Sequence, residues 1–159
     1  MKTLIIESTF IVALAFITCK SVFFVLGSKI QPTERSRTFY AHAGACLLPF
    51  AFICWSVLPH MSTALNYYAR TDQWSKPIQS AGGYLLLIIA AGVFSLGLAH
   101  LLFKIITREK SVWELVRTDD RNITYLLRGV ILGVGIMIST LAGEIAHSMI
   151  PFTPVPFNF

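Results

Sequence analysis

RNITYLLRGVILGVGIMISTLAGEIAHSM, residues 121–149, is the stretch that decides the fold. It is long enough to cross a bilayer, and its small residues recur at helical spacing. Gly129 and Gly133 form a GxxxG pair, while Gly135, Ser139, Gly143 and His147 follow one another every four residues. Residues four apart lie close to one face of a helix. Small side chains there let a second helix approach closely, which matters in lipid because packing replaces the hydrophobic drive. The same helix carries Glu144 and His147, an i, i+3 pair on a shared side. An ionisable residue inside a membrane segment is costly and marks a functional position.

The rest of the chain agrees with a membrane reading. Of 159 residues, 55% are hydrophobic and only 13% charged, against roughly a quarter charged in soluble domains. The apolar residues gather in four blocks, at about 3–26, 39–58, 81–103 and 122–149, each near the ~20 residues that span a bilayer. The expected fold is all-α: one four-helix integral membrane bundle of two helical hairpins over residues 1–150, with a tail of proline and aromatic residues at 151–159. The first block runs well past the length of a signal-peptide core and no A-x-A site follows it, so it reads as an uncleaved helix. The second contains Pro49, a kink position that neighbouring helices re-satisfy. Between His60 and Ser80 a polar connection is expected, with Tyr67, Tyr68 and Trp74 suited to an interfacial belt. The 104–121 segment mixes dense charge with Val112, Trp113, Leu115 and Val116, as an amphipathic turn on the membrane face would.

A net charge of +5 raises nucleic acid as a partner, but the cations sit between apolar blocks and no nucleic-acid motif is visible. They read as contacts to anionic lipid heads and as topology signals. Lys29, Arg35, Arg37, Lys104, Arg108, Lys110, Arg117 and Arg121 fall on one side, and Lys2, Arg70 and Lys76 on the other. The positive-inside rule then places both termini on the non-cytoplasmic side. Cys19, Cys46 and Cys54 lie in apolar blocks without CxxC spacing and read as small core residues. The two halves also echo one another weakly, as a parallel repeat about the membrane normal would.

This topology sorts the ionisable residues into two layers. Glu7, His60, Glu144 and His147 fall near the outer end, and Lys20, His42 and His100 toward the inner end. Glu144 and His147 form a Glu-x-x-His pair of the kind that bundle metal sites use. A mononuclear metal would need His60, Glu144 and His147, with Glu7 as a fourth ligand. A b-type haem instead needs two facing axial histidines, which His42 with His100, or His60 with His147, would supply. Met61 and Met149 keep a soft metal such as copper open. An ion or proton path through Lys20, Glu7 and Glu144 is a further alternative. No Ser-His-Asp set appears, and Ile138 stands where a dinucleotide fingerprint needs its third glycine. Enzymatic activity therefore has little support, and Gly129, Gly133, Gly135, Ser139 and Gly143 read as packing residues.

Thr107, the run Glu114-Leu115-Val116-Arg117, Asn122, Gly129 and Gly133 together resemble the YjfL-like family of four-helix bacterial inner-membrane proteins, over residues 104 to 148. In that family a polar loop with Glu and Asn leads into a glycine-rich helix. The resemblance implies architecture and a bacterial inner membrane rather than an activity. The expectation is a non-catalytic subunit of a larger membrane assembly, in contact with lipids and with other membrane subunits or its own copies. The alternatives are a metal- or haem-bearing subunit and an ion-pathway component.

Overall fold

The computed structural model describes residues 2–28, 37–70, 76–107 and 121–151. They form four α-helices: α1 Lys2–Gly27, α2 Arg37–Arg70, α3 Lys76–Thr107 and α4 Arg121–Ser148. Three contain segments long and apolar enough to cross a membrane, Thr38–Tyr68, Gln79–Thr107 and Thr124–Ser148. In α1 the described apolar segment is the shorter Ile11–Val22.

The distribution of side chains is that of a protein solvated by lipid. Trp55, Leu86 and Met137 are 83%, 71% and 70% exposed, whereas His42 and Ser95 are wholly buried. In water, so many large apolar groups on the outside would be a liability. In a bilayer they face chains as apolar as themselves, and the polar groups turn inward.

α2 and α3 are longer than the apolar blocks they contain. The expected end of the second block at Leu58 and the polar connection from His60 are overturned: α2 continues to Arg70 and α3 starts at Lys76. It runs through both Pro49 and Pro59. An interior proline costs ~3 kcal/mol or more and frees a carbonyl, but ending the helix within the hydrocarbon would strand several backbone groups at once. Past Pro59, Met61, Ala64 and Leu65 are buried in the core, and this packing holds the extra turns. The Thr63 hydroxyl donates to the Pro59 carbonyl at 2.9 Å.

Packing is organised by three helices. The most extensive interface is α2 with α4, α3 lies against both, and α1 packs chiefly on α2. The core is thus a three-helix unit with α1 at its flank, not two equivalent hairpins. Pro49 meets Gly135, Ser56 meets Gly143 and His60 meets His147, so α2 and α4 run parallel. Phe50 meets Gly92 and His42 meets His100, so α3 runs antiparallel to both.

The small-residue stripe of α4 divides in two. A Cβ on Gly135 would stand 3.1 Å from the Pro49 ring, and one on Gly143 3.4 Å from Ser56 Cβ. These glycines set the close approach of α2 and α4. Ser139 is buried and returns its hydroxyl to Ile136 O at 2.7 Å. Gly129 and Gly133, expected as packing residues, meet no other helix of this chain: both are exposed, and a Cβ on either would meet nothing within 4 Å. Six residues separate Gly129 from Gly135, and at ~100° per residue the GxxxG pair points away from α2.

Candidate functional site

Both ends of the three-helix core carry a pair of histidines in contact. At the end where α2 and α4 begin, His42 of α2 faces His100 of α3, with ring centroids 5.9 Å apart and planes at 82°. At the opposite end, His60 of α2 faces His147 of α4, with centroids 5.3 Å apart and planes at 71°. On α2 the two histidines are eighteen positions apart. That is five turns of 3.6 residues, or ~27 Å of rise, close to the ~30 Å thickness of the hydrocarbon. One helix therefore presents an imidazole toward each membrane face.

The first pair is the more enclosed. His42 is wholly buried, and the Cys46 thiol, one turn on, stands 3.7 Å from its Nε2. Its Nδ1 is buried without a hydrogen-bond partner. His100 is half-buried, and its Nδ1 donates to the Leu96 carbonyl at 2.7 Å. Histidines that bind metals are commonly oriented this way, with the other ring nitrogen tied to a carbonyl. Arg128, on α4 at this level, lies over the Tyr125 ring at 5.2 Å from the centroid. Its Nε is buried and unpartnered.

An apolar cleft of ≈ 510 Å³ adjoins this pair. Val22 and Val25 of α1, Cys46 and Phe50 of α2, and Leu96, Gly97 and His100 of α3 line it. The Phe50 ring that lines it packs directly onto Gly92, leaving no room for a Cβ.

The second pair is more open: His60 is half-buried and His147 exposed. Beside it the Tyr84 hydroxyl, buried on α3, donates to the Ala146 carbonyl at 3.3 Å, and the Met149 methyl packs at Gly83.

The structure thus brings together His42 with His100 and His60 with His147. It does not assemble the His60, Glu144 and His147 metal set. Among the described residues no three His, Cys, Asp or Glu side chains are grouped to hold an ion. Glu144 is exposed on α4, because the step of three residues back from His147 turns it ~60° away from α2. The Glu7 side chain lies outside the described residues. The ion-path residues do not share an interior either: Lys20 is exposed on α1, its ammonium 6.0 Å from the Phe16 centroid. Cys19 is exposed, whereas Cys46 is buried and Cys54 partly so, and all three are free thiols. Lys29, Arg35, Arg108, Lys110 and Arg117 of the orientation argument, together with the rest of the 108–120 segment and the tail beyond Pro151, lie outside the described residues.

Sequence reasoning passed over Arg128 and Tyr84. The charge of Arg128 inside a spanning helix is a legible signal. Nothing in the sequence marks the carbonyl that Tyr84 reaches.

Set against family models, curated proteins and solved structures, the chain matches none, and the resemblance to the YjfL-like family over residues 104 to 148 gains no support from them.

Proposed function

We propose that this chain is a non-catalytic membrane subunit that carries redox-active metal at two bis-histidine centres, one toward each face of the bilayer, and so passes single electrons across it. The observation that carries this reading is the double contact, His42 with His100 and His60 with His147, with two of the four ligands on one helix ~27 Å apart along its axis. Two imidazole nitrogens that share one metal at ~2 Å each stand ~4 Å apart across it. Centroid separations of 5.9 and 5.3 Å allow that spacing. The paired placement matters more than either pair alone, since one T-shaped contact between histidines is ordinary packing of aromatic rings. His42 is wholly buried and His60 and His100 are half-buried, in keeping with the rule that ionisable groups in membrane helices turn inward and serve a pathway.

In this reading the basic end, with His42 and His100, faces the cytoplasm and both termini lie on the other side, as the positive-inside rule argues. The exposed Gly129 and Gly133 are the surface for a partner helix, a second subunit or a second copy. A bare bundle subunit is the competing reading. Metal quantification and a reduced-minus-oxidised absorption spectrum of the purified chain separate the two. The proposal expects bound iron or copper lost on substituting either histidine of a pair. A chain free of metal and colour after expression with iron, copper and haem precursor supplied overturns it.

A further inference from the structure

We infer that the cleft between α1 and α3 holds one acyl chain of an anionic phospholipid, whose headgroup is drawn to Lys104; this goes beyond the proposed function and does not depend on metal at either histidine pair. The cleft measures ≈ 510 Å³. It exists because α1 packs chiefly on α2. The buried side chains of α1, among those described, are Leu14, Thr18 and Val22. Spaced by four, they make one narrow stripe, and a gap is left between α1 and α3. A gap that nothing fills loses the dispersion contacts of its walls, and in a bilayer the filler at hand is hydrocarbon.

The cleft lies along the bundle axis. Its α3 wall runs from Val93 to His100, ~10 Å of helix rise. Ile11 of α1 shares a cleft with Pro59 and Met61 of α2, and Val25 shares this one with Cys46, so α1 is antiparallel to α2. α1 and α3 therefore end at the same membrane face. A groove so aligned has the orientation of the lipid chains around it.

The α3 wall also leads to a charge. Val93, Gly97, His100 and Lys104 follow at i, i+4, i+7 and i+11, one continuous stripe of the helix. The first three line the cleft. Lys104, one turn further, is exposed in the last turn of α3. Across from it on α1, Ser28 follows Val25 and is exposed as well. Among the described side chains the acidic one is Glu144, at the opposite end. At the Lys104 end, the eight cations of the orientation argument outnumber the acids Glu34, Glu109, Glu114, Asp119 and Asp120. An apolar groove below a cationic rim complements a hydrocarbon tail below an anionic head. A second copy of this chain would instead bring its own cations to the same rim.

The experiment uses the full chain in mild detergent, mixed with phosphatidylglycerol or with phosphatidylcholine of the same acyl chains, each with a photoreactive group on one chain. Native mass spectrometry counts the bound lipid, and the crosslinked peptides locate it. Wild type is expected to retain one phosphatidylglycerol, crosslinked to the α1 and α3 walls of the cleft. It should hold that lipid roughly fivefold more tightly than phosphatidylcholine, the scale of one basic residue near an anionic surface. Lys104→Gln should abolish the preference and leave the crosslinks in place. Gly97→Leu enters the cleft at a position where a Cβ meets nothing within 4 Å, and should cut retention of both lipids. Helicity and gel-filtration behaviour identify variants that fail to fold, and the comparison of headgroups on wild type needs no variant. Equal affinity for the two headgroups, or a preference that survives Lys104→Gln, overturns the headgroup assignment. Crosslinks on other surfaces, crosslinks between two copies of the chain at the cleft, or retention unchanged in Gly97→Leu overturns the acyl-chain site. Metal at the histidine pairs is read separately by the absorption spectrum, so either conclusion can fail without the other.

Discussion

Gly135 on α4 lies against Pro49 on α2 so closely that a Cβ on the glycine would come within 3.1 Å of the proline ring. Pro49 has already given up a backbone hydrogen bond, so its ring cannot be displaced without disturbing the helix further. A larger side chain at 135 must push the helices apart. Gly135→Val should destabilise the protein by ~1–3 kcal/mol, the usual scale of overpacking, read as a lower melting temperature in mild detergent. Gly133→Val, which meets open space, should stay within ~0.5 kcal/mol in the monomer. Equal losses for the two would contradict this packing.

Phe50 and Gly92 give a second test, because the ring occupies the space a Cβ at 92 would need. Gly92→Ala alone should be destabilising, and Phe50→Leu alone should leave a cavity. The double variant should recover part of the loss, with an interaction energy of ~0.5–3 kcal/mol in a double-mutant cycle. Additive effects would show that the two positions do not touch.

Tyr84→Phe removes the hydroxyl that donates to Ala146 O at 3.3 Å. Hydrogen bonds between membrane helices average ~0.6 kcal/mol, so the melting temperature should fall slightly with no change in assembly. A loss as large as that of Gly135→Val would mean that the hydroxyl also serves the neighbouring His60–His147 pair.

The orientation is tested with single cysteines at Ser36, Ser75 and Ser111 in a background without Cys19, Cys46 and Cys54. An impermeant thiol reagent added outside should reach position 75 and spare 36 and 111. The reverse pattern would invert the topology.

The four helices were legible because each apolar block has the length of a bilayer crossing. The extent of α2 was not: Pro59 and the polar residues around His60 read as an ending, and the burial of Met61, Ala64 and Leu65 that carries the helix onward depends on neighbours a sequence does not show. The glycines of α4 were legible as packing residues only as a group. Which of them meets α2 depends on the helix rotation, and this put Gly135 and Gly143 inside but Gly129 and Gly133 outside. The meeting of His42 with His100 and of His60 with His147 followed from equal depth in alternating helices. Depth alone also placed Glu144 beside His147, whereas azimuth turns it out of the bundle. Arg128 entered the site because α4 runs parallel to α2 in a register that no local pattern fixes.

The most direct measurement is the reduced-minus-oxidised absorption spectrum of the purified chain, taken with iron and copper quantification of the same sample. Two histidine-ligated redox centres per chain are expected, one abolished by His100→Ala and the other by His147→Ala, each with the remaining centre intact. A folded chain that carries no redox-active metal, or whose metal survives both substitutions together, would contradict the account.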